Sequence, residues 1–261
     1  MKPTGTRSTS PTSCAEVNPS SPAWWFFHQD EAWACGFTDA RLDLGNFASP
    51  GDNAVARTPH EQQHYLQETL GPLVDGKRIV YMNQVHGAAV RTAESGEVAT
   101  ADALTVDRSQ IAALVRVADC VPIVIGAPGQ PLVSVVHAGR KGMAAGVAVN
   151  ASEELRRRGA RSLEAWVGPR ACGSCYEVPA DMRDEVAAIE PASRSVTRWG
   201  TPALDVGAGV IAQLERAGVV VHDIGAQECT IENDRFWSYR RQGQAAGRFG
   251  AVAMVKTKDM T

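Results

Sequence analysis

Long apolar runs are missing from this 261-residue sequence. The most apolar stretch, residues 111–128, is interrupted by Arg116, Asp119 and Pro122, whereas a membrane-spanning helix needs about 20 mostly apolar residues. No membrane partner is expected. The opening segment, MKPTGTRSTSPTSCAEVNPSSP, is rich in Ser, Thr and Pro and has no apolar h-region, so it does not read as a secretory signal. Residues 1–22 are expected to form a disordered leader, and the fold is expected to occupy residues 23–261, starting at the aromatic cluster Trp24, Trp25, Phe26 and Phe27. No run of Lys or Arg is longer than the three residues 156–158 and the net charge is −3, which argues against a nucleic-acid backbone as partner. Charged residues make up 21% of the chain and apolar ones 44%. That balance excludes a disordered polar protein and allows a core that needs no disulfide for support.

Regular cysteine spacing is also lacking. The six cysteines are Cys14, Cys35, Cys120, Cys172, Cys175 and Cys229. With no signal segment, reduced thiols in the cytoplasm are the expected state. Cys172-Gly-Ser-Cys175 has Cys-x-x-Cys spacing, but no second such pair completes a zinc ribbon. Pro169 before it and Tyr-Glu-Val-Pro after it do not suit a thioredoxin-like helix start. The pair reads as structural thiols.

What the sequence does contain is an alternation of strand-like and helix-like segments. Residues 79–82, 111–117, 123–126, 131–136, 165–168, 219–221 and 249–255 are short, apolar and β-branched, and predict strands. Residues 88–91 are expected to continue the 79–82 strand after a turn at Gly87. Helices are predicted over 143–158, with Gly159 as the stop, over 181–190, and over 205–217, with Asp205 as the cap and Gly218 as the end. The mixture indicates a single α/β or α+β domain.

Three of the strand ends carry metal-ligand residue types: His86 in NQVHG, Cys120 in ADCVP and His137 in VSVVHAG. Open α/β sheets collect their sites at strand ends. Two His and one Cys leave a fourth position on zinc for water or substrate. The separations of 34 and 17 residues are not those of a local zinc motif. A turn histidine and a buried thiol explain the same residues, and so does a Cys120 nucleophile with His137 as its base. The segment HAGRKG offers a Gly-rich turn, a helix start and two cations, Arg140 and Lys141, as a seat for an anion. It lacks the first Gly of a Walker loop. Arg240, Arg241 and Arg248, interleaved with Trp237, Tyr239 and Phe249, form a second basic candidate.

Taken together, NQVHG, ADC-V-P, VVHAG-x-x-G, VGP…CYEV, ECT and SYRR…GR resemble, in order and spacing, the YfiH/YlmD family, whose members carry the names multicopper polyphenol oxidase (laccase-like) and purine nucleoside phosphorylase. The resemblance runs from about Gly36 to Val255. It implies a layered α/β/β/α domain of the kind shared with a toxin deamidase. It also implies zinc on His86, Cys120 and His137, with Asp119 as a neighbour that orients ligands or accepts a proton. The implied substrates are purine nucleosides and phosphate: phosphorolysis of adenosine, inosine and methylthioadenosine, and deamination of adenosine. Cys120, His137 and Asp119 are then the expected catalytic residues, and Lys141, Arg140, Arg240 and Arg248 the expected phosphate or substrate contacts. The chain departs from the family at HAGRKG, where HAGWRG is usual. It departs again at GPRACGSCYEV, where GPAIGPCCYEV is usual, and in a shortened loop from Gly36 to Gly45. Two rival readings remain, a Cys120–His137 amide hydrolase acting on peptidoglycan precursors and a copper-dependent phenol oxidase. The latter needs several coppers and many His ligands, and the chain has six His in all. A zinc-stabilised binding module is the non-enzymatic alternative.

Overall fold

Why the chain folds as it does is clearest in its longest strands. The computed structural model describes residues 24–45, 57–96 and 98–257. The expected leader, residues 1–22, lies outside them, as does Cys14. The elements in chain order are β1 (Phe26–Gln29), β2 (Trp33–Phe37), α1 (Pro59–Leu70), β3 (Arg78–Asn83), β4 (Val90–Thr92), β5 (Ala99–Thr100), β6 (Ala103–Val106), β7 (Ile111–Val117), β8 (Val121–Gly126), β9 (Val133–Ala138), α2 (Arg140–Ala144), α3 (Val147–Arg157), β10 (Glu164–Val167), α4 (Ala180–Ile189), β11 (Arg194–Val196), β12 (Pro202–Leu204), α5 (Val206–Arg216), β13 (Val220–Asp223), α6 (Tyr239–Gln242) and β14 (Phe249–Val255). Strands β8, β9 and β14 are buried along their whole length. They therefore read as continuous apolar runs and not as alternating ones.

Two six-stranded sheets stack face to face, in the orders β1-β2-β14-β7-β3-β5 and β13-β10-β8-β9-β6-β4. The interior between them holds Trp33, Phe37, Val115, Val124, Val135, Trp166 and Phe249. On the outer face of the first sheet, α1 buries Leu66 and Leu70 against Ile79, Leu114 and Val252. On the outer face of the second, Ala151 and Leu155 of α3, Val186 of α4 and Val210 and Leu214 of α5 pack against Ile123, Ile125 and Ala165. The result is the α/β/β/α layering that the resemblance implies. No helix among the described residues is long and apolar enough to cross a membrane.

Local signals set the helix ends. Thr58 and Glu61 form a reciprocal capping box at α1, with Pro59 in its first turn. Asp205 accepts from the Ala208 N–H at 2.8 Å and caps α5 as expected. Two sequence expectations are corrected. The helix over 143–158 is broken: α2 ends at Ala144 and α3 begins after Gly146, whose φ of +77° is left-handed and ends helical propagation. Residues 88–91 do not continue β3. Strand β4 belongs to the opposite sheet, beside β6, and the 84–87 turn carries the chain from one sheet to the other.

Candidate metal centre and its cavity

The site lies where the two sheets exchange chain. Strand β3 runs parallel to β7, and β14 runs antiparallel to β7 with Phe249 opposite Val117. The end of β3, the end of β7 and the start of β14 thus meet at one edge. From there Ala118, Asp119 and Cys120 cross directly from β7 to β8 in the other sheet, and β8 pairs with β9 so that Pro122 faces His137. Gln84 extends the β3–β7 pairing through its side chain, accepting from Arg116 N at 3.0 Å and donating to Arg116 O at 2.8 Å. His86 is therefore a turn residue three positions past β3. His137 lies inside β9, next to its end.

Topology brings the three expected ligands together. One ligand atom from each of His86, Cys120 and His137 lies within 4.8 Å of the other two. The imidazole rings of His86 and His137 meet edge to face, with centroids 4.7 Å apart, and Cys120 Sγ is 3.8 Å from His86 Nε2. Gly139 makes this approach possible. A Cβ there would sit 2.5 Å from His86 Cδ2 and 3.2 Å from Cys120 Sγ, inside van der Waals contact.

Asp102, which sequence reasoning missed, organises the cluster. Its fully buried carboxylate accepts from the backbone N–H groups of Val85, His86 and Gly87 at 3.3, 2.9 and 2.7 Å. Three successive N–H groups form an anion nest. They also hold His86 at a φ of +60°, a left-handed conformation that costs a non-glycine residue about 1–3 kcal/mol. The same carboxylate accepts from His137 Nδ1 at 2.8 Å, which leaves Nε2 of His137 as the ligating nitrogen. A lone Asp inside the apolar word TADALTV was the available signal. Asp119, expected to orient a ligand or accept a proton, lines the same cavity as the cluster. Its carboxylate accepts from Thr230 Oγ1 and from the Arg240 N–H, both at 2.7 Å, so it ties the crossing turn to the C-terminal basic segment.

Charge follows from this packing. Burial by itself would raise the Cys120 thiol, but the charge of His137 and hydrogen bonds from His137 and His86 bring it down to about 6. Burial opposes charge on His137, yet the Cys120 thiolate and the bond to Asp102 lift its imidazole to about 9. Two imidazoles and a thiolate form a borderline-soft donor set that suits a zinc or copper ion. The fixed tautomer of His137 and the glycine cradle at 139 fit the same reading.

The three donors face a cavity of about 420 Å³, also lined by Arg116, Asp119, Tyr176, Tyr239, Arg240 and Arg248. Arg240 stacks over the Tyr176 ring at 4.4 Å and donates to Glu177 O at 3.0 Å. Burial lowers the Arg248 guanidinium and brings that of Arg116 down to about 10. Arg240 and Arg248 thus reach the cavity as expected, and Arg116, read in the sequence only as a break in an apolar run, joins them. Lys141 does not. It is exposed on α2 and lines no part of this cavity. Arg140 borders a smaller space that shares Asp119, Cys120 and Tyr176 with this cavity. The shortened loop contributes Gly45 to the lining, and Asp43 Oδ1 accepts from the Arg248 N–H at 2.9 Å.

Comparison with known proteins gives the family and the fold. The family described as multi-copper polyphenol oxidoreductase laccase matches residues 40–256. A Streptomyces coelicolor protein named purine nucleoside phosphorylase is 44% identical over 233 residues, covering 81% of this chain and 93% of its own. Among solved structures, a Neisseria meningitidis protein superposes with a TM-score of 0.72 at 24% identity, over 87% of this chain and 96% of its own. YlmD from Geobacillus stearothermophilus superposes with a TM-score of 0.68 at 24% identity, over 88% of this chain and 99% of its own. The two structures speak for the fold alone.

Proposed function

Because the chain belongs to the laccase-domain (YfiH/YlmD) family, we propose that it is a zinc-dependent purine nucleoside enzyme. It cleaves adenosine, inosine and methylthioadenosine with phosphate, and deaminates adenosine. The carrying observation is a His–Cys–His cluster opening onto a cavity lined by three arginines and two tyrosines. The name of the Streptomyces coelicolor relative supports a purine nucleoside enzyme at the level of the family.

Zinc held by His86, Cys120 and His137 supplies Lewis acidity and a means of ionising water near neutral pH. The remaining work falls to the chain. Arg240, Arg248 and Arg116 seat phosphate, which offsets the cost of burying the Arg116 and Arg248 guanidinium groups. In phosphorolysis a phosphate oxygen bonds to C1′, the N9–C1′ bond breaks, and the departing base takes up a proton. Deamination adds water at C6 and releases ammonia, with Asp119 carrying the proton from water to the leaving amine. Asp102 holds His137 in one tautomer throughout. Turnover of adenosine and inosine by zinc-loaded protein, set against His86→Ala protein that has lost the metal of the His86–Cys120–His137 cluster, tests the proposal. Activity is expected to disappear with the metal, and full activity in the variant contradicts it.

A second reading has its own support. Cys120, His137 and Asp102 are ordered as nucleophile, base and orienting carboxylate, the arrangement of a cysteine amide hydrolase. It predicts covalent capture of Cys120 by a substrate-like electrophile and turnover that persists in chelator. Phenol oxidation by several coppers has no such support. Of the six histidines, His28 and His222 stack on Trp166, His64 pairs with Glu68, and only His86 and His137 enter a ligand cluster among the described residues.

A further inference from the structure

Away from the cavity, the described residues hold one other group of metal-ligating side chains: Cys172, Cys175, Cys229 and Glu232, with one donor atom from each within 4.8 Å of all the others. We propose that these four residues bind a second zinc ion, closed off from substrate, that locks two loops behind the catalytic cavity. A tetrahedral zinc with sulfur bonds of about 2.3 Å needs donor separations of about 3.8 Å, so the group closes on an ion with side-chain movements of a few tenths of an ångström to an ångström.

The backbone is already arranged for it. Residues 172–175 form a tight turn in which the N–H groups of Cys175 and Tyr176 both donate to Cys172 O, at 3.0 and 2.9 Å. The Cys172 N–H points at Cys229 Sγ at 3.4 Å. Glu232 and Asn233 donate back to Cys229 O at 3.1 and 2.9 Å, which curls the chain so that the Glu232 carboxylate returns to the sulfurs. Arg170 and Cys229 form a bridge that holds the two loops side by side. Cys175 and Cys229 are buried. Three thiolates and a carboxylate around a divalent ion leave net negative charge, and Arg198 supplies the counter-charge. Its guanidinium donates to Cys175 Sγ at 2.6 Å and pairs with Glu232. A disulfide would use two of these sulfurs and leave the third sulfur, the carboxylate and Arg198 unexplained.

The position of the group explains what the ion is for. Immediately beside it, Ala171 N donates to Asp119 O at 3.0 Å, Thr230 Oγ1 donates to Asp119 Oδ1, and Tyr176 lines the cavity. Fixing the two loops to each other fixes the turn that carries Cys120. Cys172, where the family pattern has no cysteine, completes the Cys-x-x-Cys half of the site. The inference stands on this cluster alone and does not depend on the reaction proposed for the cavity.

Metal analysis of the full-length protein, purified under reducing conditions with zinc, tests it. Wild-type protein is expected to carry two zinc ions per chain. The Cys172→Ser/Cys229→Ser variant and the His86→Ala/Cys120→Ser variant are each expected to carry one. Should the first variant not fold, the second still decides, because only the distal group remains in it. X-ray absorption on that protein is expected to report three sulfur neighbours and one oxygen around zinc. A zinc-free His86→Ala/Cys120→Ser protein overturns the inference. So does an intact mass lower by two hydrogens that maps to a disulfide among Cys172, Cys175 and Cys229.

Discussion

Asp102 is the residue on which the cluster turns. One carboxylate closes the 84–87 turn through three N–H groups and fixes the tautomer of His137. Asp102→Asn keeps the shape but offers an amide where an anion is needed. Metal affinity is expected to fall about 10- to 100-fold, read by competition with a chromophoric chelator; an unchanged affinity contradicts the role. Gly139 makes a complementary test. Gly139→Ala sets a methyl group against His86 and Cys120 while its φ of −79° stays open to alanine. Loss of the metal held by His86, Cys120 and His137 is the expected outcome, measured by metal analysis, and its retention contradicts the role of Gly139. At this scale residue type marked His86, Cys120 and His137 as candidate ligands, and the family words around them, not type alone, grouped them as a set. The sequence was silent on Asp102 and Arg116, because an acid or a guanidinium inside an apolar word shows its purpose only when the strand beside it is known.

At the scale of elements, the loop after β2 depends on a charge clamp. Asp39, 1% exposed, accepts from Arg41 Nε at 2.8 Å and from Arg235 Nε at 3.1 Å. Burial pushes its carboxyl up, but these bonds prevail and hold it below the ordinary range. A depressed folded-state pKa contributes stability that is fully present above the unfolded value, about 4, and is lost as pH falls through the folded one. Asp39→Asn protein is therefore expected to melt below the wild type at pH 7, with the gap narrowing as pH falls below the ordinary carboxylate value of about 4. Thermal scans across that range check it, and a gap independent of pH contradicts it. Strands β7, β9, β10 and β14 were legible because burial on both faces leaves short, largely apolar runs. The split between α2 and α3 was not, since a glycine inside an amphipathic pattern reads equally as a tolerated residue or as a left-handed break. Nor was the sheet change after β3, because a strand's own pattern does not name its partner.

For the whole molecule, two stacked sheets act as a rigid frame, and chemistry gathers where the chain crosses between them. The layered fold and the grouping of His86, Cys120 and His137 were accessible from motif words taken together. The HAGRKG turn is close in sequence to His137, yet Lys141 lines no part of the cavity, and the cations there come from β7 and from the segment before β14. Closeness along the chain was a poor guide because antiparallel pairing of β14 with β7 brings residues 240–248 to the site from the far end of the sequence. Product identity during inosine turnover by zinc-loaded protein tests the central claim most directly. With phosphate present, hypoxanthine and ribose 1-phosphate are expected in equal amounts, and neither without it. Hypoxanthine released with free ribose, or no release at any phosphate concentration, contradicts the account.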